Sequence, residues 1–401
     1  MDESTLYDIA IIGGGIAGSA IARDAALRGA RVVLFEKNTF GSGTSGKSSK
    51  LIHGGLRYLE VAWLALKRGD LLECWKNFRF VFVSLRECRI LKNIAPELVK
   101  PISFLIPIYR QSKRKRLSVY FGTLLYGSMS WILGSGRFPG ILFSKDAVLR
   151  LEPELNPEGL LGGVILWDHV TDDQRLVEQT MLSAQKHGAQ AFERAKVTGT
   201  RLDRENKIYE IDVESGTEKR AVLSRVLIDA RGPWVDPALI LPVAGSHITL
   251  KKFTEQSMIL EAEDRRIFFV INYKEEARVG TTERICRDPD HVKSTDGEIH
   301  YLLSALKKYF PKMTFKREDI LRSDAGVRPL AKPKHDLSPT HISREHEIAT
   351  GADGVIHVLG VKLTDHRRAA EKIIRSLLPK IRASRPLVRG GSVTRQAPLG
   401  G

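Results

Sequence analysis

An α/β fold that begins with a pair of parallel strands is predicted by three features of the sequence. A strand-length apolar run, Tyr7 to Ile12, passes directly into a glycine turn and then a helical pattern. A second apolar run, Arg31 to Phe35, ends on an acid, Glu36. Further short apolar runs, Val226 to Ile228 and Val355 to Leu359, recur far down the chain, where they can extend the same sheet.

The turn reads Gly13-Gly14-Gly15-Ile16-Ala17-Gly18 and fits G-x-G-x-x-G. Gly13 permits the tight turn, Gly15 lets a pyrophosphate approach the backbone, and Gly18 lets helix and strand pack closely. Small and apolar residues recur at helical spacing from Ile16 to Arg28, and Gly29 makes a C-terminal stop. The N-terminus of such a helix presents free N–H groups and a positive dipole to phosphates. Glu36, about twenty positions beyond the glycines, accepts hydrogen bonds from an adenosine ribose and repels a 2′-phosphate. Strand, turn, helix, strand and acid in register make a dinucleotide site. The motif alone does not separate NAD from FAD.

The chain has 401 residues, the length of two or three lobes. Hydrophobic residues make up 42% and charged residues 27%, which excludes a disordered chain. The formal charge of +16 points to a polyanionic partner, either nucleic acid, an anionic lipid surface or an anionic substrate. Cys74, Cys88 and Cys286 form no C-x-x-C pair, which excludes a disulfide scaffold and argues against a metal site. Met1-Asp2-Glu3-Ser4-Thr5 is acidic where a signal peptide is basic, so a cytoplasmic location is expected.

Residues 41–60 read GSGTSGKSSKLIHGGLRYLE, a glycine- and serine-rich stretch unexpected in a simple nicotinamide enzyme. Here the sequence resembles the FAD-dependent glycerol-3-phosphate dehydrogenase and oxidase family, whose S-S-K-L-I-H-G-G-L-R-Y-L is matched from Ser48 to Leu59 without a break. Asp172 to Val177 is similar to the family's D-D-A-R-L-V, and Ala230 to Val235 to its A-T-G-P-W-V. Gly245-Ser246-His247, Val279 to Thr282, Gly326 to Leu330, Ile342 to Arg344 and Lys362 to Thr364 follow in the family's order. There are three departures. Val361 stands where the family has a second glycine in G-G-K-L-T-T-Y-R, Glu283 stands for an aspartate, and the helical C-terminal domain of longer bacterial members has no counterpart in these residues.

The resemblance implies a FAD-binding Rossmann-like domain of the glutathione-reductase and D-amino-acid-oxidase type, with an inserted, mostly antiparallel β substrate domain. The FAD domain is expected at residues 1–69, 150–236 and 324–401, and the substrate or cap domain at 70–149 and 237–323. A helix from about Thr364 to Leu378 is expected to point its N-terminus at the flavin pyrimidine, where it favours negative charge on the ring. Besides Gly13, Gly15, Gly18 and Glu36, the cofactor contacts implied are Thr44, Ser45, Ser48, Ser49, Lys50, Gly54, Gly232, Leu363 and Thr364. No metal is expected.

The implied reaction oxidises C2 of sn-glycerol 3-phosphate to dihydroxyacetone phosphate. Arginines suit a phosphate dianion because they stay protonated and bind it through two N–H groups. The resemblance puts Arg328 and Arg344 on the phosphate, with Arg57, Tyr58 and the catalytic Lys362 completing an anionic cage. Two histidines compete for the hydroxyl proton: His53, in a glycine-flanked turn, is preferred, and His247 is expected to face the ring from the substrate lobe.

Arg110 to Arg116 holds five bases in seven residues, and Leu117 to Gly136 carries no charge for twenty. Glycines, serines and a threonine lower its hydropathy below that of a membrane-spanning helix, so it fits an interfacial segment on anionic lipid or a buried helical hairpin. The partners expected are glycerol 3-phosphate, a quinone, the cytosolic face of an anionic membrane and a second copy of the chain in a homodimer. No nucleic acid is expected, since no recognised motif accompanies the charge. Without membrane association the acceptor would be oxygen and the protein an oxidase. A related FAD enzyme acting on another hydroxy or amino acid is the alternative.

Overall fold

The computed structural model describes residues 5–332, 346–379, 381 and 386–399. Its helices are α1 (Ile16–Leu27), α2 (Leu56–Lys67), α3 (Leu71–Ile94), α4 (Arg116–Ile132), α5 (Lys145–Leu149), α6 (Asp173–Lys186), α7 (Asp296–Tyr309) and α8 (His366–Leu377).

The apolar run at the N-terminus is buried on both sides, which is why it does not alternate. Strand Ile9–Ile12 lies inside a six-stranded sheet, between Leu227–Asp229 and Val32–Phe35 and parallel to both. Ile356–Leu359 and Gln190–Phe192 extend the sheet in parallel, and Glu347–Thr350 closes one edge antiparallel. Ile9 and Ile11 pack with α1, α6 and α8 through Ile21, Ala25, Met181, Ile373 and Ile374. Ala10 and Ile12 face the other way, onto Tyr209, Ile211 and Val222 of a small four-stranded sheet. Helices therefore cover one face and a β-layer the other.

A ten-stranded, mostly antiparallel sheet forms the second layer system; Ser257–Glu261 beside Lys100–Tyr109 is its parallel pair. Ile240–Lys251 is flanked by Glu276–Gly280 and Arg322–Ala331. Leu160–Val170 pairs with Lys100–Tyr109 along its whole length, and its far end meets the short strand Leu51–Ile52. Leu160–Val170 comes from the 150–236 stretch that the sequence assigns to the FAD lobe, yet it belongs to this sheet. So does Arg322–Ala331, which straddles residue 324. Helix α7 and Phe310 cover one face of the sheet. Helices α2, α3 and α4 form a separate layer in which Leu59, Val81, Leu85 and Tyr126 pack on Leu166.

Helix α8 is tied to α3 by a buried ion cluster. Arg367 makes a bidentate pair with Glu87 at 2.7 Å through each nitrogen, and its remaining donors reach Glu371, Ser392 and Thr394. Each of the three guanidinium nitrogens thus has an acceptor, as a buried guanidinium requires.

Candidate functional site

At one end of the six-stranded sheet the glycine turn is shaped by its neighbours. Gly13 has φ +106°, and a Cβ there would lie 2.6 Å from the Ala230 carbonyl oxygen; one on Gly18 would lie 1.9 Å from that of Gly13. The N-cap residue Gly15 has no side chain to offer, and the first N–H of α1, from Ile16, is taken by the Ser45 hydroxyl at 2.9 Å. Glu36 lies across the mouth, accepting the Gly14 N–H at 2.7 Å and the Asn38 N–H at 2.8 Å. Thr44 holds the facing loop in place by donating to the Val327 carbonyl at 2.6 Å. A helix N-terminus entered through glycine backbone, with a carboxylate beside it, fits a dinucleotide pyrophosphate and ribose. Gly232, with φ +63°, starts a short turn just beyond the neighbouring strand Leu227–Asp229.

The His53-Gly54-Gly55 turn joins Leu51–Ile52 to α2 and is clamped from two sides. Thr364, directly ahead of α8, accepts the His53 N–H at 3.0 Å and donates to the His53 carbonyl at 3.2 Å. From the other side the Tyr126 hydroxyl accepts the Gly54 N–H at 2.8 Å. Only glycine fits at 54, since a Cβ would come within 2.5 Å of Leu85. Lys362 donates to the Tyr58 hydroxyl at 2.9 Å, and its ammonium sits 4.6 Å above the Tyr58 ring and 4.4 Å above that of Phe80. Arg57 stands exposed on the first turn of α2. Leu363 is half-buried, and its carbonyl faces His366 Nδ1 at 2.6 Å. Val361, at the family's glycine position, packs partly buried on the α1–α8 core.

Residues 48–50 form a second knot. Asp173, at the start of α6, accepts from the Ser48 N–H at 3.0 Å and hydroxyl at 2.8 Å, and pairs with the Lys50 ammonium. The Ser49 hydroxyl meets His247 Nε2 at 3.0 Å, and Asp324 lies 3.9 Å from His247 Nδ1. Arg278 grips Asp324 with two bonds of 2.7 Å and donates to the Ser48 carbonyl at 3.0 Å. Burial, reinforced by Arg278, Arg328 and Lys50, holds the His247 pKa well below the usual imidazole value. His247 is 2% exposed, behind Ser49, whereas His53 is half-buried at the turn.

Arg328 pairs opposite Val243 in the antiparallel sheet; it donates to Thr281 at 2.8 Å and lies 3.7 Å from Glu283. The departure Glu283 therefore faces one of the two expected phosphate ligands. The other, Arg344, lies outside the described residues, as do Ile342 and Ser343.

Tyr126, Phe80, Asp173, Arg278 and Asp324 complete these contacts without having been read as site residues. Asp173 carried a signal, since it lies in the family-like Asp172–Val177 block. Tyr126, Phe80, Arg278 and Asp324 reach the site only through strand pairing and helix packing, and they carry no local motif.

A family model described as FAD dependent oxidoreductase matches residues 8–363. A glycerol-3-phosphate dehydrogenase of Synechocystis is 35% identical, with 96% of this chain and 72% of the relative covered. A D-erythritol 1-phosphate dehydrogenase of Brucella abortus is 32% identical, over 100% of this chain and 78% of the relative. Among solved structures, the FAD complex of the Bacillus halodurans glycerol-3-phosphate dehydrogenase superposes with a TM-score of 0.74 at 25% identity, covering 96% of this chain and 67% of that one. With the glycine turn, Glu36 and the clamped His53 turn in place, the chain belongs to the FAD-dependent oxidoreductase family, in the group that holds the glycerol-3-phosphate dehydrogenases.

Proposed function

We propose that this enzyme oxidises the C2 hydroxyl of sn-glycerol 3-phosphate to the ketone of dihydroxyacetone phosphate, at the cytosolic face of an anionic membrane, with a quinone as final electron acceptor. The observation that carries the reading is the meeting of two family-like blocks. Ser48–Leu59 and Lys362–Thr364 lie at opposite ends of the chain, yet they join through the Thr364–His53 and Lys362–Tyr58 bonds. Gly13, Gly15, Gly18, Ser45 and Glu36 hold the dinucleotide end, and the His53 turn with Leu363 and Thr364 holds the flavin end. When bound, FAD accepts the C2 hydrogen as a hydride.

The residues of the chain bind, orient and deprotonate. His53 accepts the hydroxyl proton, because it is half-buried at the turn while His247 is enclosed behind Ser49. His247 orients Ser49 and, through it, the 48–50 backbone. Arg328 neutralises the phosphate together with Arg344, and Lys362, set against two rings, contributes a positive charge near the substrate. Arg57 on α2 is the remaining cation of the cage.

An exposed apolar surface on α2, α3 and α4 supports the membrane reading. Trp63, Leu66, Leu72, Trp75, Phe121 and Trp131 are all exposed, and Trp63 contacts Phe121 with ring centroids 6.3 Å apart. The uncharged stretch is not a hairpin but mainly one amphipathic helix, α4, with Tyr120, Thr123, Tyr126 and Ser130 inward. Lys67, Arg68, Lys113, Lys115 and Arg137 are exposed around it, while Arg114 is held inward by Glu60 and Glu261. No described helix is long and apolar enough to cross a membrane. The arrangement suits a protein lying on anionic lipid.

The relative named for D-erythritol 1-phosphate favours a second reading, in which a longer polyol phosphate is oxidised. One experiment separates the two. The purified holoprotein is mixed anaerobically with glycerol 3-phosphate, D-erythritol 1-phosphate or glycerol while the flavin absorbance is followed. Fast bleaching by glycerol 3-phosphate is expected. Faster bleaching by the four-carbon phosphate favours the second reading, and equal rates with glycerol would remove the phosphate site altogether.

A further inference from the structure

Beneath the His53 turn lies a polar chain that neither dinucleotide binding nor substrate binding accounts for. The Gly54 N–H donates to the Tyr126 hydroxyl at 2.8 Å, and that hydroxyl donates to Asp168 Oδ1 at 2.7 Å. Tyr126 comes from the inward face of α4 and is fully buried; Asp168 comes from strand Leu160–Val170 and is 8% exposed. No ion pair to Asp168 exists among the described residues. A buried carboxylate without a cation is costly, and a single backbone N–H could be satisfied far more cheaply by a carbonyl. The network therefore does more than fill a hydrogen-bonding vacancy.

The direction of the chain gives it a use. A tyrosine hydroxyl has one proton. While the Asp168 carboxylate takes that proton, the oxygen lone pairs are turned towards Gly54. Thr364 grips the His53 backbone from the α8 side, and Tyr126 grips the next residue from the opposite side. The position of the turn along the line between them is thus determined by side chains from three separate elements. Leu85 leaves no slack, since even a methyl group at 54 would collide with it.

We propose that Tyr126 and Asp168 are positioning residues for the His53–Gly54 turn: Asp168 orients the Tyr126 hydroxyl, which anchors the turn and so places the His53 ring at the flavin site. The proposal rests on the reading of His53 as the base. It also makes the anchor sensitive to the charge on Asp168. Burial pushes the Asp168 carboxyl up to about 7, offset in part by Tyr126 and the Gly54 N–H. The groups facing it are Tyr126 from α4, the Gly54 N–H from the turn and Cys88 from α3. Burial also raises the Cys88 thiol, which stays protonated, and Ile102 lies opposite Asp168 on the adjoining strand. Below neutrality a protonated Asp168 competes to donate to the same hydroxyl, and the anchor on Gly54 loosens.

The test compares the holoprotein with Tyr126→Phe and Asp168→Asn. Visible circular dichroism of the bound flavin and the affinity for FAD are read without substrate. The rate of anaerobic flavin reduction by glycerol 3-phosphate is read against pH. Tyr126→Phe is expected to change the flavin dichroism and to slow reduction about tenfold with KM within about twofold, the effect of one lost hydrogen bond on the reacting geometry. Asp168→Asn keeps an acceptor for the hydroxyl, and it is expected to remove an inflection near pH 7 from the rate profile. Wild-type dichroism, rate and pH profile in both variants, with only a lower Tm, would overturn the proposal and leave the network a fold-stabilising one. If Tyr126→Phe does not fold, an unchanged inflection in Asp168→Asn alone overturns it. If the wild type is reduced by neither polyol phosphate, the substrate reading fails, while the dichroism and FAD affinity still decide the role of Tyr126.

Discussion

Lys362 donates a hydrogen bond to the Tyr58 hydroxyl at 2.9 Å although 304 positions separate them. The ammonium also lies over two aromatic faces, so it is held by a cation–π contact as well as by the hydrogen bond. Both residues belong to blocks recognisable in the sequence, and the bond between them shows where those blocks converge.

Arg328 is expected to bind the substrate phosphate, a charge-assisted contact of roughly 1.5–3 kcal/mol, or about 10- to 150-fold in an equilibrium. Arg328→Ala should lower kcat/KM for glycerol 3-phosphate by that order with FAD content unchanged. Arg328→Lys should recover part of the loss, because a point charge lacks the guanidinium fork. Steady-state kinetics with a flavin count per chain checks both; loss of FAD would make Arg328 a fold residue.

The two histidines should separate cleanly. His53→Ala is expected to slow flavin reduction about 100-fold or more, the usual contribution of a general base. His247→Gln, which alters a buried contact to Ser49, should chiefly lower Tm and FAD affinity. Stopped-flow reduction beside a thermal melt distinguishes them, and a larger rate loss for His247 reverses the assignment.

Arg367 ties α8 to α3 and to the segment around Thr394. Removing one partner of a buried ion cluster leaves the others unpaired, at a cost of about 3–5 kcal/mol. Arg367→Leu should therefore show a correspondingly lower unfolding free energy by denaturant titration. A double change with Glu87→Leu should cost less than the sum of the two single changes.

His169 gives a pH prediction. It is 2% exposed, and burial first, then Lys92, lowers its pKa to about 4. The unfolded chain takes up a proton near pH 6.5 that the folded chain refuses, so stability is full above that pH and falls on acidification. Between pH 7 and pH 5 the loss is on the order of 2 kcal/mol. His169→Leu should lack this component of acid destabilisation, as chemical denaturation at the two pH values will reveal.

Binding to anionic vesicles should weaken as salt rises, since each base near the surface contributes on the order of 1 kcal/mol and is screened. Phe121→Ser with Trp131→Ser should weaken binding at every salt concentration, which vesicle sedimentation measures. Retention of full binding by that variant would move the contact away from α4.

The glycine turn, Glu36, the first helix and the four central strands of the six-stranded sheet were legible because their signals are local, whereas Gln190–Phe192 and Glu347–Thr350 at its edges were not. A turn needs glycine at particular backbone angles, a helix needs a 3.6-residue period, and a doubly covered strand needs a continuous apolar run. The block from Ser48 to Leu59 was legible for a similar reason: it is one unbroken stretch that matches the family's pattern as a unit. Those features determined the fold class and the dinucleotide chemistry.

What the tertiary structure alone decided is every contact made by residues without a motif. Leu160–Val170 falls in the 150–236 stretch expected in the FAD domain, and only pairing with Lys100–Tyr109 puts it in the antiparallel sheet. Asp324 reads as an ordinary acid until register brings it opposite His247. Tyr126 reads as one aromatic in an uncharged stretch, and only the packing of α4 turns it towards Gly54 while Phe121 faces solvent. A side chain's neighbours across a sheet or between helices come from register and packing angle. Both are set by the summed burial of whole elements, which leaves no mark at the individual residue.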